Sequence, residues 1–296
     1  MTLEQLRVFV EVAACEHMTR AAEALHLTQS AVSAAVAALE ARHGVHLFHR
    51  VGRRIELTDV GQAFLGEARA VLARAQAAER LLAQFGELES GSLALVASQT
   101  IASYWLPPHL ARFRARYPGI AVELIVGNSD QAAAHVRDGS AELGFVEGEI
   151  DDAALARWPV GQDELRLVAA AGPAPAAVTP DWLRAADWVL REPGSGTRST
   201  FETALAGLGI APGELRVSMV LPSNEAVRSA VESGMGCSVL SSLVVGPALR
   251  AGRLQRLPLA LPPRPFHALR HKERYRGRAA DALLALIGAE ARQEPA

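Results

Sequence analysis

Thr28-Gln-Ser-Ala-Val-Ser33 decides how this chain is read. Thr28 has the chemistry of a helix N-cap, because its hydroxyl can accept a hydrogen bond from an otherwise unpaired N–H of the first turn. Behind it Val32, Val36 and Leu39 fall at i, i+4 and i+7 and make one apolar face. Gln29, Ser30 and Ser33 then lie together on the opposite side, at the N-terminal end beside Thr28. Polar side chains placed there suit contact with base edges in a major groove. The pattern predicts a DNA recognition helix that stops at Gly44, a C-cap glycine.

Upstream, Leu3, Leu6, Val10 and Ala13, with Phe9 beside them, form the stripe of a first helix. Thr19 is expected to cap a second helix, Arg20 to Leu25, and His26-Leu27 to turn the chain into the recognition helix. Downstream, Val45–Arg50 and Arg53–Leu57 flank Gly52 and predict a two-stranded wing. Arg50, Arg53 and Arg54 fall at its tip, where cations meet phosphates. Helix-turn-helix plus wing is the reading of residues 1–58.

Charge sharpens this. Residues 1–90 carry nine arginines and eleven acids, and the whole chain of 296 residues has a formal charge of −2. That excludes a generic polyanion binder. Yet Arg42 to Arg54 holds four arginines, three histidines and no acid, a local patch able to supply phosphate contacts. Affinity per domain should be modest, which favours a dimer. His43, His46 and His49 do not read as a metal site, because Gly44 breaks the helix between them and no cysteine or carboxylate completes a tetrahedral set. Two distant cysteines, Cys15 and Cys237, offer neither a disulfide framework nor a metal pair. Charged Glu4, Arg7 and Glu11 interrupt the start every few residues, unlike a signal peptide, and no apolar run approaches a membrane span. Cytoplasmic location, no membrane partner and no cofactor are expected.

From Asp59 no proline occurs until Pro107. Phe64, Ala68, Val71, Ala75, Ala78, Leu82 and Phe85 follow alternating spacings of four and three, a heptad seam. Thr58 can cap its start, and Gly86 and Gly91 bracket its end. Residues 59–90 are therefore predicted to be a dimerisation helix that sets the distance between two recognition helices.

Beyond residue 91 strand and helix patterns alternate, as in α/β layers with parallel strands. Strands are expected at Ser92–Ala97, Val122–Val126, Leu143–Glu147, Leu165–Ala170, Trp188–Arg191, Arg216–Val220, Cys237–Leu240 and Phe266–Arg270. Helices are expected within Pro107–Arg116 and Asp130–Asp138, from Thr197 and Asn224, and at Ala279–Ala291. In such sheets ligands bind beyond the C-terminal strand ends, at helix N-termini. That rule selects Ser98-Gln99-Thr100, Asn128-Ser129, Glu147, Ser195-Gly196-Thr197-Arg198 and Asn224. Glycines at 194 and 196 let backbone approach a ligand, hydroxyls flank them, and Arg198 is the expected source of positive charge. Tyr104 and Trp105 follow the first strand and read as lobe core, and Cys237 as a buried strand residue.

Ala21-Ala-Glu-Ala-Leu25, Thr28-Gln-Ser-Ala-Val-Ser33, Leu39-Glu40, Gly44-Val-His-Leu-Phe48, Arg50 and Leu57-Thr-Asp-Val-Gly61 together resemble LysR-type transcriptional regulators. The resemblance implies a two-lobed, periplasmic-binding-protein-like effector domain at 91–296, with lobe I at 91–160 and 266–296 and lobe II at 161–265. It implies promoter DNA, a second copy of the chain (dimer or tetramer) and RNA polymerase as partners. Glu-Pro-Gly-Ser-Gly-Thr-Arg198 with Ser98-Gln-Thr100 looks most like the branch of sulfur-assimilation, sulfite-response and carbon-fixation regulators, which implies an oxyanion, carboxylate or phosphorylated effector. One departure concerns Ala34, Ala35 and Ala37, where family members often carry long basic side chains. It shifts backbone contact toward the wing.

The rival class is an enzyme. A P-loop needs a lysine, and the single lysine, Lys272, lies far from the glycine turn. Neither a Gly-x-Ser-x-Gly elbow nor a His-Glu-x-x-His helix is present.

Overall fold

Helix caps organise the start of the chain in the computed structural model, which describes residues 1–51, 54–83 and 91–290. α1 (Leu3–Cys15) opens on a capping box: Thr2 Oγ1 accepts from the Gln5 N–H at 3.2 Å and Gln5 Oε1 from the Thr2 N–H at 3.0 Å. α2 (Met18–Leu25) begins two residues before the expected start. Its cap is His17, whose Nδ1 accepts from the Thr19 N–H at 3.2 Å, so Thr19 lies inside the helix rather than capping it. Histidine is not a favoured cap, which is why sequence reasoning chose the threonine. α3 (Gln29–His43) is capped by Thr28, which accepts from the Ala31 N–H at 3.2 Å, and closes at Gly44 with φ +65°. Val32 and Val36 pack with Val8, Val12 and Ala22, while Leu39 packs with Leu6, Phe9 and Leu47.

β1 (Phe48–Val51) and β2 (Arg54–Leu57) form the antiparallel wing, with Phe48 opposite Leu57. Glu40 ties it to the recognition helix, accepting from the N–H groups of Leu47 and Phe48 at 2.7 and 3.2 Å. α4 (Asp59–Ala83) starts at Thr58, whose Oγ1 accepts from the Gly61 N–H at 3.0 Å. The chain divides into two compact units, Met1–Leu82 with Asp138–Ser140 and Ala83–Arg137 with Ala141–Ala296.

The second unit runs β3 (Gly91–Ser98), a π-helical turn at Ile101–Trp105, α5 (Leu106–Arg116), β4 (Ile120–Gly127), α6 (Ser129–Asp138), β5 (Leu143–Glu147) and β6 (Leu155–Asp163). It continues with β7 (Leu165–Ala170), α7 (Pro180–Ala185), β8 (Asp187–Arg191), α8 (Gly196–Gly207), a short 3-10 turn at Pro212–Glu214, β9 (Arg216–Leu221) and α9 (Asn224–Glu232). Last come β10 (Cys237–Ser241), α10 (Ser242–Arg250), β11 (Leu254–Arg256), β12 (Arg264–His271) and α11 (Arg278–Glu290).

Two five-stranded sheets result, ordered β4-β3-β5-β12-β6 and β11-β7-β10-β8-β9. β3 is parallel to β4 and β5, and β8 to β9 and β10, whereas β12, β6, β7 and β11 pair antiparallel. The sheets are thus mixed, with antiparallel strands beside the expected parallel ones, because the chain crosses between lobes after β6 and returns on β12. β6 escaped sequence reasoning because Pro159 interrupts its pattern; as an edge strand it tolerates a residue with no N–H. β6 and β12 straddle the expected lobe boundaries. Leu93, Leu95, Phe113, Phe145 and Phe266 fill the first lobe, with Leu283 and Ile287 of α11 packed back onto it. Leu167, Trp188, Phe201 and Val239 fill one side of the second sheet, and Val168, Val189, Val231 and Leu240 the other. Among the described residues, no helix is long and apolar enough to cross a membrane.

Candidate functional site

Three sites were expected, a DNA-reading face, a dimer seam and an effector junction, and the geometry of each is distinct. On α3, Gln29 and Ser30 are exposed and Ser33 is half-buried. Gln29 Nε2 donates to Ser33 Oγ at 2.9 Å, and the Thr28 and Ser30 hydroxyls lie 3.1 Å apart. These bonds are exposed and exchangeable, so the side chains can turn to base edges at little cost. The helix N-terminus beneath them adds unpaired N–H groups and a positive dipole end, which favour phosphate. Ala34 and Ala37 are exposed on the same helix and Ala35 is half-buried. Arg53 lies outside the described residues, as do the side chains of Arg50 and Arg54; backbone pairing sets Arg50 opposite Ile55 and Arg54 opposite Val51. His46 and His49 stand 4.0 and 3.8 Å from Glu40 and Glu56.

The heptad seam divides. Phe64 packs on Phe9 with ring centroids 5.0 Å apart, and Ala68 is buried among Leu6, Leu39 and Leu47. The first two seam positions therefore serve the core of the winged unit itself, because α4 supplies one wall of it. Val71 is 41% exposed, Ala75 half-buried and Ala78 exposed, so the seam faces outward from Val71 on. Phe85 and the Leu82 side chain lie outside the described residues.

In the second unit the C-terminal strand ends of both lobes meet. Asn224 Nδ2 donates to Thr100 Oγ1 at 3.1 Å, and its backbone N–H to Gln99 Oε1 at 3.0 Å. Gln99 Nε2 reaches the Pro222 carbonyl at 2.7 Å, and Asn128 Nδ2 reaches Glu192 at 3.3 Å. Ser129 Oγ donates to the Glu147 carbonyl at 2.8 Å. Gly196 lies against that carbonyl, where a Cβ would come within 2.1 Å of the oxygen. Ser98, Thr100, Ser129, Glu147, Ser195, Thr197 and Asn224 are all buried. Ten of the eleven expected effector residues thus belong to one polar junction, at the N-termini of α6, α8 and α9.

Arg198 does not join it. Its Nε donates to Glu202 at 2.7 Å and its Nη1 to the Arg191 carbonyl at 3.1 Å, so it ties α8 to the end of β8. The positive charge comes from residues that sequence reasoning missed. Arg264, at the start of returning strand β12, donates to Thr197 Oγ1 at 2.9 Å and pairs with Asp163 and with Glu147, the latter at 3.5 Å. Its buried Nε has no hydrogen-bond partner among the described residues. Arg191 donates to Asn224 Oδ1 and grips Glu192 through two bonds at 2.7 and 2.8 Å. Burial alone would push Glu192 up, but the Arg191 pair outweighs it and holds the carboxyl below its usual range. Glu147 goes the other way: burial raises it, and Arg264 and the Thr100 hydroxyl only partly offset this. Tyr104 donates to Glu225 at 3.1 Å across the lobes, while Trp105 packs with Phe145 and Phe266 in the first lobe. Burial pushes the Cys237 thiol up to about 12, so it is unreactive at neutral pH.

Residues 3–62 match the family model of the bacterial regulatory helix-turn-helix protein, lysR family, and residues 86–292 match the LysR substrate binding domain. The uncharacterized HTH-type transcriptional regulator YeiE of Escherichia coli (strain K12) is 40% identical over 265 residues, covering 88% of each chain. The HTH-type transcriptional regulator CbbR of Rhodospirillum rubrum is 31% identical over 98% of this chain and 97% of its own. The crystal structure of full-length CbnR complexed with its target DNA shares the fold, with a TM-score of 0.71 at 22% identity over 98% of this chain and 99% of that one. With both family models matched across most of its length and a relative 40% identical over 88% of each chain, this chain, a capped helix-turn-helix unit with a wing followed by a two-lobed domain, belongs to the LysR family of bacterial DNA-binding transcriptional regulators.

Proposed function

We propose that this regulator reads its operator through Gln29, Ser30 and Ser33 on the Thr28-capped helix, and that Arg50, Arg53 and Arg54 hold the DNA backbone. Val71, Ala75, Ala78, Leu82 and Phe85 pair two copies through the linker helix, with a tetramer of two such dimers as the functional form. The lobe junction takes a small anionic metabolite: an oxyanion, a carboxylate or a phosphorylated compound. Promoter DNA and RNA polymerase are its macromolecular partners, and the cytoplasm is where it acts.

The observation that carries the effector reading is the lobe junction itself. Strand ends and three helix N-termini meet there with two buried arginines, a setting whose N–H groups and dipoles favour negative charge. A ligand that fits one angle between the lobes shifts their equilibrium, and the linker helices carry that change to the spacing of the reading helices. Thermal-shift measurement with sulfite, sulfate, thiosulfate, sugar phosphates and small carboxylates tests this. A ligand at 100 times its dissociation constant stabilises the protein by about 2.7 kcal/mol. Unchanged melting across the whole panel contradicts the anionic reading.

A further inference from the structure

Three carboxyls at the lobe junction, Glu147, Asp163 and the half-buried Glu192, share two arginines, Arg191 and Arg264. Arg191 is committed to Glu192 by two hydrogen bonds. Arg264 is left with two carboxyls, Asp163 and Glu147, and they are not equally served. Asp163 accepts from Arg264, from the Ser241 hydroxyl at 3.0 Å and from the Glu164 N–H at 2.7 Å. Glu147 is 3.5 Å from an Arg264 nitrogen that already donates to Thr197, and otherwise receives hydroxyls, those of Ser98 and Thr100. A fully buried carboxylate with so small a share of positive charge is strongly disfavoured, and such a group sheds the cost by keeping its proton.

We propose that Glu147 is a neutral carboxylic acid at neutral pH, and that it is the hydrogen-bond donor that lets this junction accept an anion. The first half stands on the charge arrangement of the lobes; the second rests on the effector reading above. From β12 the carboxyl faces Arg264, from β6 Asp163 and from β8 Arg191, while the end of β3 and the turn after it bring the Ser98 and Thr100 hydroxyls; Ser129 of α6 bonds the Glu147 backbone carbonyl and Thr197 of α8 bonds Arg264 instead. Burial and Asp163 raise its proton affinity, and Arg264, Thr100 and Arg191 lower it by less. An ionised Glu147 would repel an incoming anion, so anion affinity should fall as the acid titrates, by about tenfold per pH unit once proton and ligand bind together.

Infrared spectroscopy on the full-length, ligand-free protein reads the acid directly. At neutral pH a protonated-carboxyl C=O band is expected that Glu147→Gln removes and Ser98→Ala shifts. Absence of the band, or a band that neither variant alters, overturns the proposal. Stability gives an independent check. The folded-state proton affinity of Glu147 exceeds the unfolded one, so its contribution is full below the unfolded value and drains away as pH rises through the folded value. Glu147→Gln should therefore gain on wild type as pH rises; a constant difference counts against the proposal. Sulfite, sulfate and phosphate, titrated under mildly acidic and mildly alkaline conditions, separate the two halves. Tighter binding in acid, flattened by Glu147→Gln, supports the donor role, and binding indifferent to pH overturns it. Should none bind while the band is present, the donor role falls with the effector reading, and the protonated acid stands.

Discussion

The proposed reading face of α3 and the lobe junction are both polar, yet they are built on opposite principles. On α3 the polar groups are exposed and bonded to near neighbours in sequence, Gln29 to Ser33 and Thr28 to Ser30. At the lobe junction they are buried and bonded to groups far away in sequence, Arg264 to Thr197 and Thr100 to Asn224. The first face keeps its donors exposed and adds little to folding. The second is part of what holds the two lobes together, so any ligand there must exchange with bonds that already exist. Changes on α3 should therefore cost affinity with stability intact, and changes at the junction should cost stability first.

Arg264→Ala breaks the junction most severely, since it leaves the Asp163 carboxylate buried without its cation. Removing one partner of a buried pair costs about 3–5 kcal/mol, and chemical denaturation of the variant should show a loss of that size. A loss below about 1 kcal/mol would mean that Asp163 is itself neutral or wet, and would erase the contrast with α3. Gly196→Ala comes next. Its Cβ would lie 2.1 Å from the Glu147 carbonyl oxygen, too close for a side chain to yield, so the helix must shift at a cost of about 1–3 kcal/mol. A melting temperature equal to that of wild type is the contrary result.

On the other side of the comparison, Val71→Glu puts like charges into the proposed dimer seam from a position already 41% exposed. The winged unit should stay folded while sedimentation at low concentration shows dissociation and operator affinity collapses. Gln29→Ala should weaken operator binding by about 1–3 kcal/mol and relax preference at one base pair, with melting unchanged. Retained discrimination in that variant would take the reading role away from this helix.

What was legible in the sequence follows the same division. Thr28, Gly44 and the strand Leu143–Glu147 stand where expected, because caps and short apolar runs are local signals. His17 was missed as a cap since imidazole seldom serves as one. Phe64 and Ala68 fit a heptad seam and also a core helix, and only packing on Phe9 and Leu6 decides between the two. The junction was half legible: turn and strand-end rules selected Ser98, Thr100, Glu147, Thr197 and Asn224. The rules could not choose among arginines. Arg198 sits in the glycine-rich motif but turns back to Glu202, whereas Arg264 arrives from 66 residues further along the chain on the returning strand. That pairing is a product of topology, with no local spacing to announce it.

Calorimetry with whichever anion most raises the melting temperature, run on wild type, Thr100→Ala and Thr197→Ala, tests the central claim most directly. If the lobe junction is the effector site, each variant should bind that anion more weakly by about 0.5–1.5 kcal/mol, while operator affinity without ligand stays at the wild-type value. Wild-type anion affinity in both variants would place the site elsewhere in the chain and contradict the account.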